Sequence, residues 1–287
     1  MRISPRLIIA AVMVLFALVS YYGYRQENPV TGEVQHISLN PQQEIALGLE
    51  AAPQMAAEMG GLHPSQAVQD YAEEIGQSVV AKSRAKQGPY NYQFHVLADS
   101  ETINAFALPG GQIFITAALL ARLENEAQLA GVLGHEVGHV VGRHAAEHLA
   151  KGQLAQLLVG ATGVAVSDPN QPGSGQSAQA IAAVVAQLTS LKYGRKDEIE
   201  ADALGVVFMG EAGYDPRAML GVMDVLERAT DGQGRGPGWL QSHPDPGNRR
   251  EQLSQVIAGE FPGGVPFELT LGDLTRFHDI QARLTVH

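Results

Sequence analysis

The sequence predicts a mostly helical α+β protein with one small antiparallel sheet. Between residues 65 and 83, apolar side chains recur at a three-to-four spacing, which is typical of one face of a helix. Residues 92–97, 103–108 and 112–116 instead alternate or are β-rich, and Pro109-Gly110-Gly111 separates the last two segments as in a hairpin. Helical periodicity returns in the second half of the chain, so helices take the larger share.

The composition excludes several classes of protein. The chain has 287 residues, of which 45% are hydrophobic and 17% charged, so it is neither disordered nor fibrous. Its net charge of −11 argues against nucleic acid as a partner. The chain contains no cysteine, which removes disulfides, thiolate metal sites and cysteine nucleophiles. Any metal must therefore be bound by His, Asp or Glu.

The N-terminus predicts a membrane anchor. Residues 7–24 form a run of 18 uncharged, mostly apolar residues behind Arg2 and Arg6. This length is at the short end of a transmembrane helix, and the two arginines favour a cytoplasmic N-terminal tail. We therefore expect an uncleaved signal anchor, with a removed signal peptide as the alternative.

The rest of the chain divides by composition. We expect residues 1–24 to be the anchor, 25–40 a polar linker, 41–262 the main domain and 263–287 a C-terminal extension. Residues 160–177 are rich in Gly, Ser and Pro and predict a loop, either a lid or a plain connector.

The motif His135-Glu136-Val137-Gly138-His139 predicts a metal site, and Asn125 is predicted to cap the long helix that carries it. On a helix, His135 and His139 lie about 40° apart and one turn from each other, so both can reach one ion. Glu136 lies about 100° around, where it can contact a water beside the ion without binding the metal.

The surroundings of the motif indicate burial. Residues 127–142 contain no Lys, Arg or Asp, and a buried helix that carries a Glu and two His needs partners or a metal. The alternative is that these are ordinary core histidines whose hydrogen bonds are made by neighbouring protein groups.

Glycines recur three or four residues apart along this helix, at Gly131, Gly134, Gly138 and Gly142. We interpret them as close packing against a neighbouring helix rather than as a transmembrane stripe.

A catalytic zinc needs a third protein ligand. The HExxHxxGxxH pattern would require His at position 145, which is Ala145, and Glu147 lies about 12 Å along the same helix. Glu198 and Glu200 are the first plausible donors. Glu200 is expected to point elsewhere by helical geometry, which leaves Glu198. Asp202 follows on the same helical face and is predicted to hold a ligand imidazole from behind. The alternative is that these acidic residues only form the solvated start of a helix.

These motifs together resemble the HtpX/BepA/Oma-type zinc metallopeptidases (peptidase family M48), over roughly residues 65–260. The matching stretches, in order, are Asn104 to Gly111, Glu126 to His139, Arg143-His144, Glu198 with Glu200-Ala201-Asp202, Ala212 to Pro216, and Ser242-His243-Pro244 followed by Arg249. The single N-terminal anchor agrees with the single-pass or periplasmic members.

The resemblance implies a gluzincin-like zinc peptidase domain. Its expected metal ligands are His135, His139 and Glu198 around one Zn²⁺ per chain, with Glu136 as the catalytic base. It also implies that His243 and Arg249 lie near the active site, His243 as a possible latency switch and Arg249 as support for the oxyanion.

The sequence therefore predicts a zinc metalloendopeptidase that acts on misfolded envelope or membrane-associated proteins. A zinc-stabilised, latent holdase is the alternative. The expected location is the bacterial inner membrane with the domain in the periplasm, or the soluble periplasm after signal cleavage. Residues Gln112, Ile113, Phe114 and Ile115 are predicted to form an edge strand that binds substrate by backbone pairing, with an ordinary sheet strand as the alternative.

Overall fold

The computed structural model describes residues 5–166, 187–188, 192–230, 238–243 and 248–284. By contacts, the chain divides into two units, Met1–Asn40 with Ala145–Leu191, and Pro41–His144 with Lys192–His287. Most of the predicted 160–177 loop lies outside the described residues. Residues 160–166 of it are helical, because a helix continues to Val166.

Helices and two small sheets make up the described chain, as the predicted α+β class requires. The strands are β1 (Arg25–Glu27), β2 (Val34–His36), β3 (Gln93–Leu97), β4 (Ala105–Leu108) and β5 (Gln112–Thr116). The helices, with a short 3₁₀ turn at Arg84–Gln87, are α1 (Pro5–Gly23), α2 (Pro41–Glu58), α3 (Gln66–Lys82), α4 (Ala117–Leu120), α5 (Glu126–Val141), α6 (His144–Val166), α7 (Arg195–Glu211), α8 (Ala218–Thr230), α9 (Gly238–Ser242), α10 (Arg249–Glu260) and α11 (Leu274–Ala282).

The first unit contains α1, a hairpin and most of α6. Residues 25–40 were expected to be a linker, but β1 and β2 pair antiparallel within them. The side chain of Asn28 closes this hairpin by accepting from the backbone N–H groups of Val30 and Thr31, at 2.9 and 3.1 Å. A local Asx turn of this kind is compatible with the polar composition that predicted a linker.

Among the described residues, we find no helix with the combined length and apolar character that crossing a membrane requires. The N-terminal anchor stays a prediction.

The larger sheet is mixed rather than antiparallel, which corrects the prediction. The strand order is β3-β5-β4, with β3 parallel and β4 antiparallel to β5. The predicted hairpin forms between β4 and β5, where Gly110 and Gly111 both adopt positive φ. Because β3 pairs with the far strand of that hairpin, β5 becomes the central strand.

The central position of β5 also corrects the predicted edge strand. Residues Gln112, Ile113, Phe114 and Ile115 pair with β3 on one side and with β4 on the other. Their backbone therefore has no open side at which a substrate strand could pair. The alternative interpretation, an ordinary sheet strand, agrees with this topology.

The second unit is organised around α5, every residue of which is buried. Asn125 caps this helix as predicted, because its side chain accepts from the N–H of Gln128 at 3.0 Å. The first residue of the helix, Glu126, accepts from the hydroxyls of Tyr71 and Tyr214 at 2.8 and 2.9 Å. These contacts fix the helix at the end remote from the HExxH motif.

The C-terminal extension packs onto the same unit. On α11, Phe277 is buried next to Tyr71, with ring centroids 6.4 Å apart, and Arg276 forms an ion pair with Glu74 at 2.6 Å. Residues of the predicted extension therefore complete the core around α3 and α5.

Candidate metal centre

The HExxH motif lies on α5, and its two histidines converge as the spacing predicts. The Nε2 atoms of His135 and His139 are 3.0 Å apart, and both side chains are almost completely buried. Their Nδ1 atoms point away from each other to separate partners. Each imidazole thus presents one nitrogen to the same point and anchors the other.

Helix α7 approaches α5 closely enough to add a carboxylate to this pair. A Cβ atom on Gly138 would lie 2.9 Å from the carbonyl oxygen of Ala201, and one on Gly134 would lie 3.3 Å from that of Gly205. The interpretation of the glycine pattern as close helix packing is confirmed at these two positions. As a result, Glu198 lies against the histidines, with Oε1 3.4 Å from Nε2 of His139 and Oε2 3.7 Å from Nε2 of His135.

His243 follows α9 and completes the cluster. Its Nδ1 lies 3.0 Å from Oε1 of Glu198 and 3.4 Å from Nε2 of His135. His135, His139, Glu198 and His243 can each offer one donor atom, and these four atoms lie within 4.8 Å of one another. The backbone holds the segment in place, since the N–H of Tyr193 donates to the carbonyl of Ser242 at 3.0 Å.

The chemistry of these side chains fits a zinc ion. All four are fully or almost fully buried, and two imidazoles with a carboxylate are a common catalytic zinc ligand set. Within the described residues, Nε2 of His243 and both carboxylate oxygens of Glu136 form no hydrogen bond. Buried polar atoms without partners are costly, and a cation with its associated water would satisfy them.

The charges of the cluster suit metal binding. Burial alone would raise the pKa of Glu198, but His243 and His139 outweigh it and hold that pKa below its ordinary value. Burial also lowers the pKa of His139 well below its ordinary value. The ligands are therefore set up as an ionised carboxylate and a neutral imidazole, the protonation states in which they bind metals.

Glu136 lies beside the cluster rather than within the four-donor group. Its Oε1 is 3.6 Å from Nε2 of His243, and the side chain is fully buried. Burial raises its pKa, an effect that the neighbouring His243 and His135 partly oppose. A carboxylate with a raised pKa next to a metal site is a stronger base than an ordinary glutamate and is suited to accept a proton.

Asp202 contacts His135 as predicted for a residue behind a ligand. Its Oδ1 lies 2.9 Å from Nδ1 of His135. Arg249 in turn donates from Nε and Nη2 to the two oxygens of Asp202, at 2.8 and 2.7 Å, and its Nη1 lies 3.2 Å from Oε2 of Glu198. Arg249 therefore lies near the site, where it binds two carboxylates.

Four residues near the cluster were given no role by the sequence. His144 contacts His139, Glu200 contacts His144, Tyr193 stacks on the ring of His139 and Trp239 lies 5.6 Å from both His135 and His243. The sequence offered a signal only for the first two, which belong to the motifs that carry the resemblance. By helical geometry, Glu200 was expected to point elsewhere. The predicted substrate residues Gln112, Ile113, Phe114 and Ile115 are not members of the four-donor group.

Comparison with known proteins agrees with the geometry. The family model of Peptidase family M48 matches residues 66–257. The beta-barrel assembly-enhancing protease of Yersinia pestis is 30% identical over 223 residues, which cover 77% of this chain and 45% of that protein. The mitochondrial metalloendopeptidase OMA1 of Bos taurus is 31% identical over 258 residues, 85% of this chain and 48% of that protein. The chain thus matches less than half the length of these curated relatives.

The close approach of α5 and α7 predicts the effect of Gly138→Ala. The added Cβ would lie 2.9 Å from the carbonyl oxygen and 3.1 Å from the Cα of Ala201, so the helices must shift. We expect the dissociation constant for zinc to rise about tenfold or more, measured by competition with a chromophoric chelator. Gly259→Ala is the control, because a Cβ there meets no atom within 4 Å. Unchanged zinc affinity in Gly138→Ala would show that this approach does not set the ligand geometry.

Proposed function

Because the chain belongs to peptidase family M48, we propose that it is a zinc-dependent endopeptidase whose site consists of His135, Glu136, His139 and Glu198. The observation that carries the proposal is the buried convergence of two imidazoles and a carboxylate beside an unbonded glutamate. A site that only stabilises the fold has no need of Glu136 in that place.

His135, His139 and Glu198 are the proposed ligands of one zinc ion per chain. Zinc at this position supplies a Lewis acid that polarises the scissile carbonyl and acidifies the attacking water. Asp202 holds the ring of His135 from behind through Nδ1, and Arg249 holds the carboxylate of Asp202 in turn. The ligands are therefore preorganised by contacts within the chain.

Glu136 is the proposed general base and general acid. Its carboxylate takes a proton from the attacking water and then delivers that proton to the nitrogen of the departing amine. The raised pKa of Glu136 assists the first step, because a more basic carboxylate takes the proton from the attacking water more readily. Arg249 is the proposed donor to the developing oxyanion, with His243 as the alternative, since both lie in the same buried cluster.

His243 is also the proposed latency switch. Its Nδ1 faces the ligands while its Nε2 faces Glu136, so the ring lies between the base and the predicted metal. Substrate must reach this space, and we propose that His243 withdraws when substrate binds.

One observation favours the alternative function, a latent holdase that binds proteins without cleaving them. A site with four protein ligands is the closed arrangement of structural zinc.

The substrates are proposed to be misfolded or outer-membrane proteins of the envelope. The support is the name of the Yersinia pestis relative, which describes enhancement of β-barrel assembly. With β5 in the centre of its sheet, we assign backbone pairing with an extended substrate to β4 instead. On β4, the backbone N–H and C=O groups of Ala105 and Ala107 point away from β5. Such groups can pair with an extended substrate.

Membrane association is proposed to occur through α1. More than half of the side-chain surface of Leu15, Phe16 and Val19 is exposed on this helix, and such an apolar surface favours a lipid or protein partner. The proposed location is the periplasmic face of a bacterial inner membrane.

The proposed roles of Glu136 and Glu198 predict that one substitution removes only peptide cleavage and the other removes both bound zinc and cleavage. Glu136→Gln should retain zinc but lower β-casein cleavage by the full chain at least about 100-fold, because proton transfer is lost. Glu198→Ala should lose zinc and activity together, because a ligand is gone. Zinc content is measured by elemental analysis, and Glu58→Gln, an exposed carboxylate on α2, is the control. A Glu136→Gln protein that cleaves at the wild-type rate would refute the assignment of the base.

The latency proposal predicts that His243→Ala increases cleavage several-fold while zinc remains bound through three ligands. The reason is that removal of the imidazole opens the position in front of Glu136. Cleavage and zinc content are measured as for Glu136→Gln. If zinc-loaded His243→Ala and wild-type protein both fail to cleave, the holdase alternative is favoured. Loss of activity from an active wild type would instead make His243 a required oxyanion donor.

The role of α1 predicts that the full chain floats with phosphatidylethanolamine–phosphatidylglycerol vesicles in a density gradient. Replacing Leu15, Phe16 and Val19 together with Gln should return most of the protein to the dense fraction, because the apolar surface is lost. The mass of the mature chain from cells distinguishes an anchor from a removed signal peptide. Equal flotation of the two proteins would contradict a role for this surface.

A further inference from the structure

We propose that His144 and Glu200 form a relay that positions the metal ligand His139 and fixes which of its nitrogens carries the proton. This inference rests on the proposed zinc site and extends it to two residues with no assigned role. Both are positioning residues, since they act through His139.

The relay is a continuous chain of contacts. Nδ1 of His139 lies 2.8 Å from Nδ1 of His144, and Nε2 of His144 lies 3.3 Å from Oε2 of Glu200. His144 is almost completely buried, whereas the Glu200 side chain is about a quarter exposed, at 23%. The chain of contacts therefore begins at the buried ligand and ends at a carboxylate that reaches solvent.

The chemistry of the imidazole leaves one arrangement of protons. If Nε2 of His139 binds the metal, its Nδ1 must carry the proton and donate. Nδ1 of His144 must then accept, so the proton of His144 lies on Nε2 and points to Glu200. Oε2 of Glu200 accepts that hydrogen bond. Each donor in the chain meets one acceptor, and the neutral tautomer that exposes Nε2 of His139 is favoured.

The backbone after α5 is built to bring His144 to His139. In a continuous helix two residues five apart lie about 140° from each other and would not face one another. Here Arg143 adopts a left-handed conformation with φ of 55°, and it is the only described non-glycine residue with positive φ. The chain turns there, and the ring of His144 folds back toward the helix it has just left.

Two further features hold this turn. Arg143 is buried, and its Nε donates to Oε1 of Glu44 at 2.9 Å, while the hydroxyl of Tyr90 donates to Oε2 of the same carboxylate at 2.8 Å. Gly142 leaves room for the ring, because a Cβ there would lie 2.7 Å from Cε1 of His144. An unusual φ stabilised by a buried ion pair indicates that the position of His144 is specified by the fold.

The relay has a counterpart on the other histidine ligand. Asp202 contacts Nδ1 of His135 directly at 2.9 Å, whereas a carboxylate reaches His139 through the intervening His144. Tyr193 stacks on His139 with ring centroids 3.9 Å apart and an angle of 21°, which fixes the ring plane. Stacking does not distinguish the two ring orientations that a 180° rotation about the Cβ–Cγ bond exchanges, because both share that plane. The hydrogen bond from Nδ1 distinguishes them.

The test compares zinc affinity and the cobalt spectrum of full-chain variants. His144→Phe keeps the ring but removes the acceptor, His144→Gln restores an acceptor through its amide oxygen, and Glu200→Ala removes the far end of the relay. We expect His144→Phe to raise the dissociation constant for zinc about 10- to 100-fold. His144→Gln should recover part of that loss, and Glu200→Ala should show a smaller rise. The visible bands of Co²⁺-substituted protein should shift in His144→Phe.

The controls are His95→Phe, a half-buried histidine on β3, and Glu211→Ala, a carboxylate on the same helix as Glu200 that pairs with Arg84. Wild-type zinc affinity and an unshifted cobalt spectrum in His144→Phe would overturn the relay. If His144→Phe fails to fold, unchanged affinity and an unshifted spectrum in the folded Glu200→Ala protein would overturn it too. A wild type that binds no zinc would instead refute the proposed function, so the two failures are distinguishable.

Discussion

The site depends on the approach of α5 and α7 to within a distance that only glycine and alanine permit. Gly134 and Gly138 on one helix face Gly205 and Ala201 on the other, with room for little more than hydrogen between the backbones. This packing buries the side chains on the facing sides of the two helices. On α5 those side chains are the histidines of the motif, and on α7 they are Glu198 and Asp202. The arrangement can hold a metal ion, because such groups are stable there only as partners of one another or of an ion.

Several of the buried charged residues contact a specific neighbour, which in turn contacts a residue farther from the site. Asp202 supports His135, and Arg249 binds both Asp202 and Glu198. His144 contacts His139 from a turn that a second buried ion pair, Glu44 with Arg143, holds in place. Function and stability are therefore linked, because the contacts that orient the ligands also compensate for the burial of charge.

The sequence predicted features that depend on local spacing and missed features that depend on long-range pairing. The one-turn separation of His135 and His139 brings their Nε2 atoms together, and Asn125 caps the helix as expected. The sheet was predicted as antiparallel because a hairpin is visible in the sequence, whereas the pairing of β3 with β5 spans the chain between them. The sequence assigned no role to His144, because its contact with His139 depends on a left-handed turn at Arg143. No residue pattern predicts that turn.

Zinc anomalous diffraction from crystals of the full chain tests whether His135, His139 and Glu198 bind one zinc ion. We expect one strong peak per chain, located between Nε2 of His135, Nε2 of His139 and the carboxylate of Glu198 at about 2.0–2.2 Å from each. Nδ1 of His243 would lie at the fourth position in the latent state. Crystals grown with zinc that show no peak at this point, or their only strong peak elsewhere on the chain, would contradict the account.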